Sequence, residues 1–163
     1  MSAAPTAIPK ARRSRCSSSN APATGAAQHD GKSGGHVFLD LGDDDYTRGR
    51  PHPMIDPSER NAMVRAQGTE PQTAAILFDV VLGYGAHADP AAPLAEALVD
   101  AQRLAAAGGR SLALIGHVCG TDGDPQGKAK QVQQLERAGA VIVGSNIEAA
   151  ALAAQLAQRR GAR

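Results

Sequence analysis

Tryptophan is absent from this 163-residue chain, and two Phe and two Tyr are its only aromatic residues. Any core must therefore be built from Ala, Val, Leu and Ile, and bases find no stacking platform of the kind that single-stranded nucleic-acid binders use. A dominant charge sign is missing too. The net charge of +1 provides no basic face for nucleic acid. Cysteine occurs only as Cys16 and Cys119, too few for a metal set or a disulfide framework, so a reducing cytoplasm is the default compartment. No window approaches the roughly 18 apolar residues of a membrane span. No apolar stretch of roughly 7–15 residues follows the basic start, which excludes a secretory signal.

What is present divides in two. Residues 1–35 carry Lys10, Arg12, Arg13, Arg15 and Lys32 against Asp30, a balance of +4, which leaves −3 for the remainder. This segment is rich in Ser, Ala, Pro and Gly, has no apolar period, and cannot bury enough surface to offset its ordering entropy. It reads as a disordered basic tail. Its Arg- and Ser-rich, acid-poor composition also fits an organelle transit peptide. Residues 36–160 read as one soluble domain, well within the size that sustains a core.

From His36 the pattern alternates between strand and helix. Val37 to Leu41, closed by Gly42, is a short apolar run and the first expected strand. Residues 57–67 follow as a short helix. Ala74 to Leu82, rich in Ile, Leu, Phe and Val, is expected to be the central strand. Residues 90–107 place Leu94, Leu98, Ala101 and Leu104 three or four apart and stop at Gly108-Gly109, a helix with its C-terminal signal. Ser111 to Ile115 is a third strand, 125–138 a helix, Ala140 to Val143 a fourth strand and 146–160 a final helix. Continuous apolar strands imply burial on both faces, and helical crossovers imply parallel pairing. The expected architecture is a three-layer α/β/α sandwich on a parallel sheet, flavodoxin-like in class. Asp-Pro opens three of the helices, at Asp56-Pro57, Asp89-Pro90 and Asp124-Pro125. Each Asp suits the N-cap and each Pro the first helical position, with Glu59 placed to complete a capping box with Asp56.

Ligands of doubly wound sheets bind beyond the carboxyl ends of the strands, and here those ends open into polar loops. The longest runs from Gly42 to Asp56 and is expected to lack secondary structure, a length that usually marks function or disorder. Within it Arg48 and Arg50 are suited to anchor a carboxylate or phosphate, with His52 nearby. Asp43 and Asp45 are candidates for a divalent cation such as Mg2+, against the simpler reading of a solvated acidic turn. The second loop, Gly83-Tyr84-Gly85-Ala86-His87-Ala88-Asp89, has glycines that allow close approach of backbone to a ligand, and a following helix N-terminus that favours an anion. The third, Gly116 to Asp124, carries His117, Cys119, Thr121 and Asp122. His117 reads either as a hydrogen-bonded spacer or as a catalytic group. Asn146 reads as a helix cap.

These residues carry a family resemblance. The stretch from Leu39-Asp40-Leu41-Gly42-Asp43-Asp44 through Tyr46-Thr47-Arg48-Gly49-Arg50-Pro51-His52-Pro53-Met54-Ile55-Asp56-Pro57 resembles the FdrA proteins. So do Leu82-Gly83-Tyr84-Gly85-Ala86-His87, Cys119-Gly120-Thr121 and Asp124-Pro125-Gln126. The FdrA proteins are bacterial relatives of the succinyl-CoA synthetase alpha subunit, and the likeness runs over roughly residues 35–158. It implies a flavodoxin-like CoA-ligase domain that uses CoA and ATP, with ligand-facing residues at Arg48, Arg50, His52, Gly83, Tyr84, Gly85, His87, Thr121 and Asn146. It also implies a CoA-binding domain, upstream or on partner subunits, which residues 1–35 cannot supply. The synthetases phosphorylate a histidine in a Gly-His-Ala-Gly-Ala loop, whereas here Gly116-His117 is followed by Val118-Cys119-Gly120-Thr121.

Three functions follow as expectations. The first is an acyl-CoA synthetase domain, joining a carboxylate to CoA through an acyl-phosphate. The second is a subunit of a carbamoyltransferase of purine-ureide breakdown, with oxamate and carbamoyl phosphate as small anionic substrates. The third is a non-catalytic domain that assembles partner subunits.

Overall fold

The computed structural model describes residues 17–18 and 37–161. Among them the chain runs β1 (Ser17–Ser18), β2 (Val37–Phe38), α1 (Asp44–Thr47), α2 (Ser58–Gln67), β3 (Ala75–Val81), α3 (Ala91–Ala107), β4 (Ala113–Cys119), α4 (Lys128–Arg137), β5 (Val141–Val143) and α5 (Asn146–Gly161). The main sheet is parallel, in the order β3-β4-β5. β3 and β4 stay in register from Ala75↔Ala113 to Val81↔Cys119, and β5 adds Ile115↔Val141 to His117↔Val143.

The two-residue period of the strands sorts the sheet into two faces. Ile76, Phe78 and Val80 point one way with Leu114 and Val118, and meet Leu94, Ala97, Leu98, Ala101 and Ala105 of α3 in one core. Leu135 and Val132 of α4 continue that layer against Ile142. Leu94, Leu98 and Leu135 are wholly buried, and each removes enough apolar surface from water to stabilise the fold by about 1.5–3 kcal/mol. The opposite face carries Leu77, Asp79, Val81, Ile115, His117 and Cys119, and α5 crosses it. Helices on both faces of a parallel sheet make this a three-layer α/β/α sandwich. Among the described residues no helix is long and apolar enough to cross a membrane.

Small residues set the layer spacing. Gly68, at the end of α2, lies so close to the Ala101 backbone of α3 that a Cβ there would sit 2.6 Å from the Ala101 carbonyl oxygen. Gly116, buried in β4, faces the Phe78 ring, and a Cβ on it would overlap ring atoms Cε2 and Cζ. With few aromatics to fill space, this sandwich closes by removing side chains where a ring or a helix must approach.

Several sequence expectations change. Val37–Leu41 is not the first strand of the main sheet. Only Val37–Phe38 is extended, paired in parallel with Ser17–Ser18 in a separate two-stranded ladder, and Phe38 is 73% exposed. The reading of residues 1–35 as a disordered tail falls outside the described residues except at Ser17–Ser18. Ala74–Leu82 is an edge strand of the main sheet, since β4 takes the centre. That central strand starts and ends later than Ser111–Ile115, so His117 and Cys119 lie in the sheet rather than in a loop. Gly116 does not break the strand because its missing side chain is what the Phe78 ring requires. The Gly42–Asp56 loop contains a turn of helix, α1, closed by Tyr46 and Thr47 amides on the Asp43 carbonyl.

Gly116→Val should therefore destabilise the domain by about 1–3 kcal/mol through overpacking against Phe78. Equilibrium urea unfolding should show a lower midpoint with an unchanged slope.

Candidate functional site

The carboxyl ends of β3 and β4 lie side by side, because their register holds to the last pair and continues through the Leu82 amide, which donates to the Cys119 carbonyl at 2.9 Å. Both strands then turn abruptly. Gly120 comes so near the first loop that a Cβ would lie 2.8 Å from Leu82 Cβ and 3.0 Å from Asp124 Oδ2. Asp124 in turn accepts from the Thr121 amide at 2.5 Å and from Thr121 Oγ1 at 3.1 Å, closing the loop after β4 on itself. Asp124 is therefore a turn residue and not the cap of α4, which begins only at Lys128.

The two loops are fastened by glutamine side chains. Gln126, almost fully buried, accepts from the Gly83 amide at 3.1 Å. Its Nε2 donates to the Gly83 carbonyl at 2.8 Å and to the His87 carbonyl at 3.2 Å. Gln131, completely buried on α4, stands behind it. Its Nε2 donates to the Gln126 carbonyl at 3.2 Å and to Asp89 Oδ1 at 3.0 Å, and its Oε1 accepts from the Ala91 amide at 2.9 Å. The first amide of α3 is thus capped by a neighbouring helix. Asp89 leaves its own helix uncapped and instead takes Lys130 at 2.7 Å.

The long Gly42–Asp56 loop reaches this edge at one point, where the His87 amide donates to the Met54 carbonyl at 2.8 Å. His52 turns inward on its own loop, its Nδ1 accepting from the Met54 amide at 3.1 Å. Arg50 is held by Glu59 at 2.7 Å, which removes Glu59 from the expected capping box. Asp56 instead accepts from the Ser58 hydroxyl and amide, at 2.5 and 3.0 Å, and these bonds hold its carboxyl below the usual aspartate range. A shallow cavity of about 300 Å³ opens here, lined by Leu41, Tyr46, Arg50, Pro51, Asp56 and Glu59. Arg48 is exposed, its guanidinium free of hydrogen bonds among the described residues.

On the α5 side of the sheet, Asp79 and His117 are register partners. Asn146 Nδ2 donates to Asp79 Oδ2 at 3.2 Å. The cap of α5 is Ser145, whose Oγ accepts from the Glu148 amide at 3.3 Å, so Asn146 is a tertiary contact rather than the expected cap. His117 Nδ1 lies 3.1 Å from the Val143 carbonyl. A carbonyl only accepts, so Nδ1 is the donor in this contact.

The structure thus gathers Gly83, Tyr84, Gly85, His87 and Thr121 at one edge, with Asn146 and His117 on the α5 side of the same sheet. Arg48 and Arg50 stay on the separate loop that touches this edge through Met54. Tyr84 stands 88% exposed at the tip of its loop. Gly85 has φ +95, and a Cβ there would meet nothing within 4 Å, so backbone is open to a phosphate-sized group. In that respect the loop fits the phosphates of CoA or ATP. Among the described residues no three His, Cys, Asp or Glu side chains converge as metal ligands. Asp43 carries the helical turn through its backbone carbonyl, and the Asp45 side chain lies outside what is described. The pair sequence reasoning missed is Gln126 and Gln131. Only Asp124-Pro125-Gln126 hinted at it, and no local pattern marks a glutamine that will be buried.

Residues 11–156 match the CoA-ligase family. The chain belongs to that family. It is also similar to the uncharacterized protein YahF of Escherichia coli (strain K12), 42% identical over 118 residues, which are 72% of this chain and 23% of that protein. The chain accordingly spans about a quarter of the length of that relative.

The Asp89 cluster sets a pH dependence. Burial alone pushes the Asp89 carboxyl up, but hydrogen bonds from Lys130, Gln131 and Gln134 outweigh it, and the net direction is down. A depressed folded-state value contributes stability above the unfolded aspartate value of about 3.9, and loses it as pH falls through the folded value. Asp89→Asn should therefore lower the urea midpoint at pH 7, with the gap from the parent narrowing below about pH 4.

Proposed function

We propose that this chain is the CoA-ligase domain of an FdrA-like acyl-CoA synthetase, akin to the succinyl-CoA synthetase alpha subunit. The observation that carries this reading is the pair of glycine-bearing loops locked side by side at the carboxyl edge of a parallel sheet, in a member of the CoA-ligase family. In such chemistry a carboxylate oxygen takes the terminal phosphoryl group of ATP, and ADP leaves. The CoA thiolate then attacks the acyl carbon and phosphate leaves. Every participant is anionic, and the residues suited to them are anion binders. Open backbone at Gly85 is suited to phosphate oxygens, Thr121 borders the same edge, and the exposed Arg48 guanidinium supplies a bidentate fork. His117 lies inside β4 and not in a loop at its end, so we assign it no phosphoryl-carrier role. The remaining wall of the site would come from a CoA-binding domain or partner subunits.

Calorimetric titration of the full chain with CoA, and separately with ATP and Mg2+, tests the reading. Saturable binding between about 1 µM and 1 mM is expected, weakened roughly tenfold by Arg48→Ala through loss of one charged hydrogen-bonding group. Absence of heat with CoA, acyl-CoA and nucleotide alike would overturn it. Binding of carbamoyl phosphate or oxamate without CoA would point instead to the carbamoyltransferase reading.

A further inference from the structure

We propose that Gln126 is the positioning residue of the Gly83–His87 loop, and that Gln131 fixes Gln126 in turn, so that the loops after β3 and β4 behave as one unit. This rests on the reading of that edge as the ligand-binding site, and concerns what holds it in shape.

The geometry argues for it in three steps. A loop with glycines of positive φ at Gly83 and Gly85 has little conformational preference of its own. Gln126 grips it at both ends: amide and carbonyl of Gly83 in one case, the carbonyl of His87 in the other. Only one orientation of the carboxamide satisfies these contacts, since Oε1 must face the N–H and Nε2 the two carbonyls. Tyr84 and Gly85, between the gripped ends, are left exposed, and the one backbone bond inside the loop, from the Ala86 amide to the Gly83 carbonyl, is long at 3.3 Å.

Gln126 is itself not free to move. Its backbone carbonyl accepts from Gln131, whose other contacts run to Asp89 and to the first amide of α3. A shift of the loop after β4 would therefore break contacts at the loop after β3 and at the start of α3 together. An unpaired buried amide is costly, so intermediate arrangements are disfavoured and the two loops keep one relative geometry. Gln126 touches no reacting atom in this account. It acts through the backbone it holds.

Two variants of the full chain test this. Gln126→Met keeps the length and removes all three contacts. Gln126→Glu keeps an acceptor for the Gly83 amide but sets carboxylate oxygen against the Gly83 and His87 carbonyls. In both, hydrogen exchange at the Gly83 amide should accelerate, by about a hundredfold in the Met variant, while exchange at Leu98 in α3 changes only a few-fold. CoA binding should weaken at least about tenfold at a melting temperature close to the parent's. Unchanged protection at Gly83 would overturn the proposal, as would exchange rising equally throughout the domain. So would a loosened loop in a variant that binds CoA as tightly as the parent does. If the parent itself binds no CoA, the site reading fails, and the exchange at Gly83 still decides whether Gln126 holds the loop.

Discussion

Two buried carboxamides, Gln126 and Gln131, supply what the backbone of this domain cannot. A parallel sheet satisfies its own amides and carbonyls as far as the last register pair, Val81↔Cys119. Beyond it the chain must leave the sheet, and the polar groups of Gly83, His87 and Ala91 would be stranded at the edge of the core. A carboxamide offers an acceptor and a donor on one rigid plane, so it substitutes for a strand neighbour or a helix cap. Gln126 does the first for Gly83, and Gln131 does the second for α3. The carboxyl edge can therefore be glycine-rich and still hold a definite shape.

The layers below this edge are held by a different economy of space. A core short of aromatic rings has to gain contact by bringing backbones close. Gly68 against Ala101 joins α2 to α3, and Gly116 under Phe78 lets the largest core side chain lie flat on the central strand. Arg110 closes the far end of the sandwich, donating to the Gly68 and Thr73 carbonyls. Rigid layers give the loops at the carboxyl edge fixed anchor points.

The α5 face is more sparsely covered. Leu77, Val81 and Val141 each remain about half exposed beside α5, and Ile147 is 82% exposed at its start. Asp79, Asn146 and His117 form a polar row on that same face. The sheet thus has one face sealed by α3 and α4, and another on which apolar and polar groups still meet solvent.

The alternation of strands and helices and the α/β class were legible from the sequence by itself. Continuous apolar runs and helices of period near 3.6 depend on the residues within each segment. The polar loops between these elements were legible too, because glycine, Arg and His stand out between such runs. Tertiary structure decided the rest, for physical reasons. Strand order depends on which edges pair, so the longest apolar run became an edge strand, while Gly116 could remain inside the central one because a ring sits above it. The Asp-Pro signals predict three equal caps, yet Asp89 turns to Lys130 and Gln131, about 40 residues away, and Asp124 turns back to Thr121, since a carboxylate takes the best donor within reach. The burial of Gln126 and Gln131 has no local signature whatever. Their partners at Gly83, His87, Asp89 and Ala91 lie some 40 residues away, and only the folded sheet brings them together.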